Sequence, residues 1–200
     1  MRHLLDSLSV VPIWHELAGA ASPRGVLDLG TGGGFPGAVL AIAWPHAQVL
    51  MVDSTGKKAR AVSQALATAG VENATARAVR GEQMPALLPE TRGAFDLCVA
   101  RAVGPAEGLV REFAPLVARG GRIFLMKGPN TSAEEIAAGA REAERQGLTV
   151  EPSRTADVPG LERRLVLVYR SVGPLEDDTL YKTPAVGRSR DGRSAAEHDR

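Results

Sequence analysis

Two carboxylates and a run of glycines form the densest concentration of ligand-binding chemistry in this 200-residue chain. Asp28 lies in the apolar run Val26-Leu27-Asp28-Leu29, and Gly30, Gly32, Gly33 and Gly34 follow before Phe35-Pro36-Gly37. Glycine reaches positive φ and takes Cβ out of a ligand's way. Four glycines in five positions exceed what a strand-to-helix turn requires. Gly32 to Gly37 formally fits G-x-G-x-x-G, the dinucleotide pattern. A pyrophosphate would be repelled by Asp28, however, whereas the ammonium and sulfonium of S-adenosylmethionine suit an acid there. The D-x-G-x-G form therefore favours this methyl donor over NAD, with a turn that binds nothing as the third reading. Asp53, about 20 residues beyond the turn, stands where a ribose diol is gripped. It could equally begin the next helix as a cap, a role open to Ser54 or Thr55 as well.

The elements that position these residues alternate in type. After helical pieces at about 2–8 and 13–19, strand signals fall at 25–29, 48–53, 74–79, 95–101 and 121–127, with two more at about 149–154 and 164–169. Helix signals fall at 36–44, 57–69, 83–88, 105–118 and 132–146. The 36–44 segment is apolar all round, which predicts a helix buried against a sheet. Its N-terminus is expected to aim free N–H groups into the glycine turn. Alternation of this kind means right-handed βαβ units and a mainly parallel sheet covered on both faces. The organisation is an N-terminal helical segment (1–22), an α/β domain (23–170) and a polar tail (171–200) that reads as disordered.

Composition bounds the function. A hydrophobic content of 44% suits one well-cored domain, and the single cysteine, Cys98, excludes a disulfide framework and reads as a small buried hydrophobe. The four histidines lack ligand spacing, so no metal is indicated. Neither a membrane-spanning run nor a signal peptide is present, which points to a cytoplasmic enzyme.

In parallel sheets ligands bind beyond the C-terminal strand ends. That places Asp28, Asp53, Gly81-Glu82, Arg101 and Lys127 on one rim, with the acids on the early strands and the cations on the later ones. A cationic nucleoside would fill the acidic half and leave Arg101, Lys127, Lys57 and Lys58 for a polyanion. The plain alternative for each cation is a solvated charge or a salt bridge, such as Arg101 with Glu82.

Five ordered segments, Arg2-His3-Leu4-Leu5-Asp6-Ser7-Leu8, Asp28 to Gly37, Val52-Asp53-Ser54 with Lys57-Lys58, Ala100-Arg101-Ala102-Val103 and Met126-Lys127-Gly128, resemble the RsmG/GidB family. The resemblance covers about residues 2–170. It implies a class I S-adenosylmethionine-dependent methyltransferase of Rossmann-like fold, a seven-stranded, mainly parallel sheet with helices on both faces and its last strand inserted antiparallel. It further implies methylation of N7 of a guanine in 16S rRNA, on the small ribosomal subunit or its precursor, by a monomer. Cofactor contacts carried over fall on Gly30, Phe35, Gly81, Glu82 and Arg101, to which the turn and the second strand end add Gly32 and Asp53. From the rim, RNA contacts are expected at Lys57, Lys58 and Lys127, with Arg101 and Lys127 aligning the reactants and no residue acting as general acid or base, since guanine N7 has no proton to lose. Family members carry a further helical segment before the first motif, and the tail does not match their basic, proline-rich ending. The competing readings are a methyltransferase for another RNA or a small molecule, and a non-enzymatic NAD- or RNA-binding module.

Overall fold

The computed structural model describes residues 2–156 and 164–173. Its seven strands are β1 (Gly25–Leu29), β2 (Gln48–Asp53), β3 (Ala74–Ala78), β4 (Phe95–Arg101), β5 (Val117–Lys127), β6 (Leu148–Ala156) and β7 (Arg164–Ser171). They form one sheet in the order β3-β2-β1-β4-β5-β7-β6. The first five run parallel, and β7 lies antiparallel between β5 and β6. Strand order reverses between β1 and β4, so the crevice above them is where a ligand is expected in an open α/β sheet.

Seven helices cover the sheet: α1 (Arg2–Leu8), α2 (Val10–Ala18), α3 (Gly37–Ala43), α4 (Gly56–Thr68), α5 (Met84–Leu87), α6 (Ala106–Phe113) and α7 (Ala133–Arg145). Because a strand's side chains alternate between faces, β4 gives Leu97 and Val99 to one core and Cys98 and Ala100 to the other. The first core packs α2 to α4 onto the sheet through Trp14, Leu40 and Val62. The second packs α5 to α7 through Met84, Phe113 and Ala143. Both faces are thus dry, which is why β1 and β4 read as nearly continuous apolar runs. The N-terminal helices share this first core, with Val10, Ile13 and Trp14 buried in it.

Two expectations are corrected. The helix expected to reach residue 118 ends at Phe113, and β5 begins at Val117, pairing with Phe95 before a register shift. The helix expected to be buried all round exposes Ile42 at 64%, since the sheet side and α1 cover only part of α3. β7 runs to Ser171, and the expected polar tail lies, from residue 174 on, outside the described residues. Cys98 is fully buried, and burial pushes its thiol well above the ordinary range.

Candidate functional site

The glycine turn is braced from three sides. The N–H groups of Gly30 and Thr31 both donate to the Val52 carbonyl, at 2.8 and 2.9 Å, which ties the turn to the end of β2. Asp53 accepts from Gly32 N–H at 3.0 Å through Oδ2 and from Thr55 N–H at 2.8 Å through Oδ1. Asp28, wholly buried, accepts from Gly37 N–H at 2.8 Å. The first donor of α3 is therefore claimed by a carboxylate of the protein, which corrects the expectation that this helix end faces a ligand. Gly30 holds φ +73, and a Cβ there would meet Val103 at 2.6 Å. Its space is thus filled by the loop after β4. At Gly32 and Gly33 nothing stands nearer than 3.9 and 4.0 Å to the Cβ position, so the open part of the cradle is one step further along.

Charge around the cradle is negative. Burial pushes the Asp28 carboxyl up to about 6, against the lowering pull of Thr31 and the Gly37 N–H. Burial also acts to raise Asp53, but the Thr55 and Gly32 N–H donors outweigh it and hold the carboxyl below its ordinary value. Gly81 is buried after β3 in a single 3-10 turn, with Glu82 exposed beside it. A Cβ on Gly81 would collide with the Glu112 carboxylate and with Leu29. Glu112 itself is raised by burial and then by the charge of Glu82.

Open space over Gly32 and Gly33 and the negative charge of Asp53 beside it fit a cationic nucleoside such as S-adenosylmethionine. They do not fit a pyrophosphate, because the acids repel it and the helix donor is already used.

The cations stand differently from expectation. Arg101 is mostly buried and donates to Asp6 Oδ2 at 3.1 Å and to His3 Nδ1 at 3.1 Å, rather than pairing with Glu82. Its guanidinium carbon lies 5.7 Å from the Phe35 ring centre. Asp6 also faces Arg164 at 3.4 Å, so one carboxylate from α1 sits between two guanidinium groups. Lys127 Nζ donates to Glu135 at 2.7 Å and to the Gly104 carbonyl at 2.5 Å, with its side chain only 10% exposed. That ammonium fastens the loop after β4 to α7. Lys57 and Lys58 are exposed, and Lys58 reaches Asp53 at 4.0 Å. His3, Asp6, Glu112 and Glu135 were not read as site residues from their positions; only the side-chain contacts reveal them.

The GidB family model, described as rRNA small subunit methyltransferase G, matches residues 1–166. The chain is 39% identical over 168 residues to ribosomal RNA small subunit methyltransferase G of Leptothrix cholodnii, covering 83% of this chain and 71% of that protein. It is 40% identical over 142 residues to the protein of the same name from Chlorobium luteolum, covering 71% of this chain and 55% of that one. The chain therefore spans a little over half to about seven tenths of the length of these relatives. Among solved structures, a 16S rRNA (adenine(1408)-N(1))-methyltransferase variant from Catenulisporales acidiphilia superposes with TM-score 0.63 at 19% identity, covering 82% of this chain and 93% of that one. A SAM-dependent methyltransferase from Aquifex aeolicus gives TM-score 0.60 at 15% identity, covering 84% and 90%. At such identities the likeness is one of fold.

Proposed function

The chain belongs to the GidB family of small-subunit rRNA methyltransferases, and from that premise we propose that it methylates N7 of a guanine in 16S rRNA with S-adenosylmethionine. The observation that carries the reading is the acid-lined cradle over Gly32 and Gly33, set beside the arginine cluster at the end of β4.

Asp53 is proposed to hold the ribose hydroxyls, since an ionised carboxylate keeps lone pairs beyond the two it gives to backbone N–H groups. Gly81 and Glu82 offer a backbone N–H and a carboxylate to the adenine edge. Behind the turn the buried Asp28 adds to the negative potential around the amino-acid ammonium without touching it, and Phe35 supplies an apolar wall. When bound, the cofactor supplies an electrophilic methyl group on a sulfonium. Guanine N7 carries an in-plane lone pair and no proton, so the chain needs no general base. Its work is to align nucleophile and methyl group and to exclude water. Arg101, held by Asp6 and His3, fixes the floor of that alignment, while Lys127 acts on it through Gly104.

N7 faces a groove that proteins cannot enter in A-form RNA, so the target guanine is looped out or extruded. For the RNA backbone the free cations matter. Lys57, Arg60, Arg77 and Arg80 are exposed around the start of α4 and the β3 edge, and none of them makes an ion pair among the described residues. The proposed RNA track therefore runs on the β2–β3 side, with Lys127 a brace rather than a phosphate contact. The chain acts as a cytoplasmic monomer in this reading, and light scattering tests the latter. Among the described residues no helix is long and apolar enough to cross a membrane. Mapping N7 methylation of 16S rRNA in a deletion strain tests the whole reading: one guanine loses its mark, whereas an unchanged map rejects the assignment.

A further inference from the structure

Aromatic rings are scarce in this chain and almost all are spent on the core. Among the described residues Trp14, Trp44, Phe95, Phe113, Phe124 and Tyr169 are buried, which leaves Phe35 as the one partly exposed Phe, Trp or Tyr. Phe35 borders the open space of the cradle, its Cδ2 lying 4.0 Å from the Cβ position of Gly33. Over it stands the exposed His3, with ring centres 6.0 Å apart and planes tilted by 39°. Arg101 stacks within 5.7 Å of the same Phe35 ring. A guanidinium can only donate, so in this contact the His3 ring nitrogen Nδ1 is the acceptor. Asp6 and Arg101 thereby lock an exposed ring in one orientation at the boundary between cradle and solvent. An ordinary helix surface has no need of a ring held in that way.

We infer that His3, backed by Phe35 and Arg101, is the stacking platform for the extruded purine of the RNA substrate. This rests on the function proposed above and adds the site of the target base. An extruded base loses its stacking partners in the RNA, and a π face restores a stacking contact.

The test is methyl transfer from labelled S-adenosylmethionine to small-subunit rRNA prepared without the modification, with calorimetry of the cofactor alongside. His3→Ala is expected to lower kcat/KM for RNA tenfold or more while cofactor Kd stays within twofold. His3→Trp, which returns a ring, should recover to within threefold of the wild type. His3→Gln, which can accept from Arg101 but has no ring, should stay low. Full activity in His3→Ala overturns the platform, as does an active His3→Gln beside an inactive His3→Trp. A wild type that transfers no methyl group to this RNA fails the functional reading and takes the platform with it. An active wild type with an indifferent His3→Ala fails the platform alone.

Discussion

At the scale of single residues, Asp28 shows how a motif position can be legible while its partner is not. Its place before the glycines marks it as an acid of the turn, and the structure gives it the Gly37 N–H rather than an open ligand face. With its folded pKa raised to about 6 from 3.8, the native state holds a proton that the unfolded chain releases earlier. Stability attributable to this group therefore falls as pH rises from about 4 to 6, by roughly 3 kcal/mol at most. Asp28→Asn should remove that dependence and leave the protein no less stable at pH 8, as urea titrations at several pH values would show. Gly30→Ala should destabilise by about 1–3 kcal/mol, through its positive φ and the contact with Val103, and a lowered Tm checks it. The glycines and Asp53 could be found because their types and spacing are local. Asp6 could not be assigned, because its partner Arg101 is 95 positions away and only the packing of α1 onto α3 brings them together.

At the scale of elements, most strands and helices followed from apolar runs and their caps, and the failures have local causes. Residues 115–118 continue the apolar spacing of α6, but Val117 pairs with Phe95, and Gly120-Gly121 lies within the same continuous strand where its register against β4 shifts. A Cβ on Gly121 would meet three carbonyl oxygens at 2.9 Å, so glycine here serves a close backbone crossing that resembles a turn signal in sequence. The packing of α6 on α7 centres on Glu142, which accepts from Arg111, Gln146 and Arg145 and is held down to about 2. Its contribution is complete above the ordinary value of 4.5 and is lost as pH falls toward 2. Glu142→Gln should flatten the acid limb of the stability profile in that window. Lys127→Met should free the loop after β4 from α7, lowering Tm and weakening cofactor binding several-fold, since Glu135 and Gly104 lose their shared donor. If Lys127 instead gripped phosphate, the variant would change the salt dependence of RNA binding.

At the scale of the whole molecule, a net charge of +1 says little, and the distribution of paired and unpaired cations says more. The strand-end rule gathers candidate acids and cations from the sequence alone, but charge pairing across the fold decides which cations stay available. Neutralising Arg77 and Arg80 together should weaken RNA binding and reduce the slope of log K against log salt by up to about 1.4, as filter binding across salt concentrations would show. The topology carries one more consequence, for the order in which the fold can close. The last strand among the described residues, β7, occupies an interior position between β5 and β6. A nascent chain released from the ribosome only as far as residue 156 would therefore hold β5 with an open edge and β6 with no neighbour at all. Folding of the second half must wait for synthesis to pass residue 171, which makes the finished sheet a check that the chain has been translated through β7.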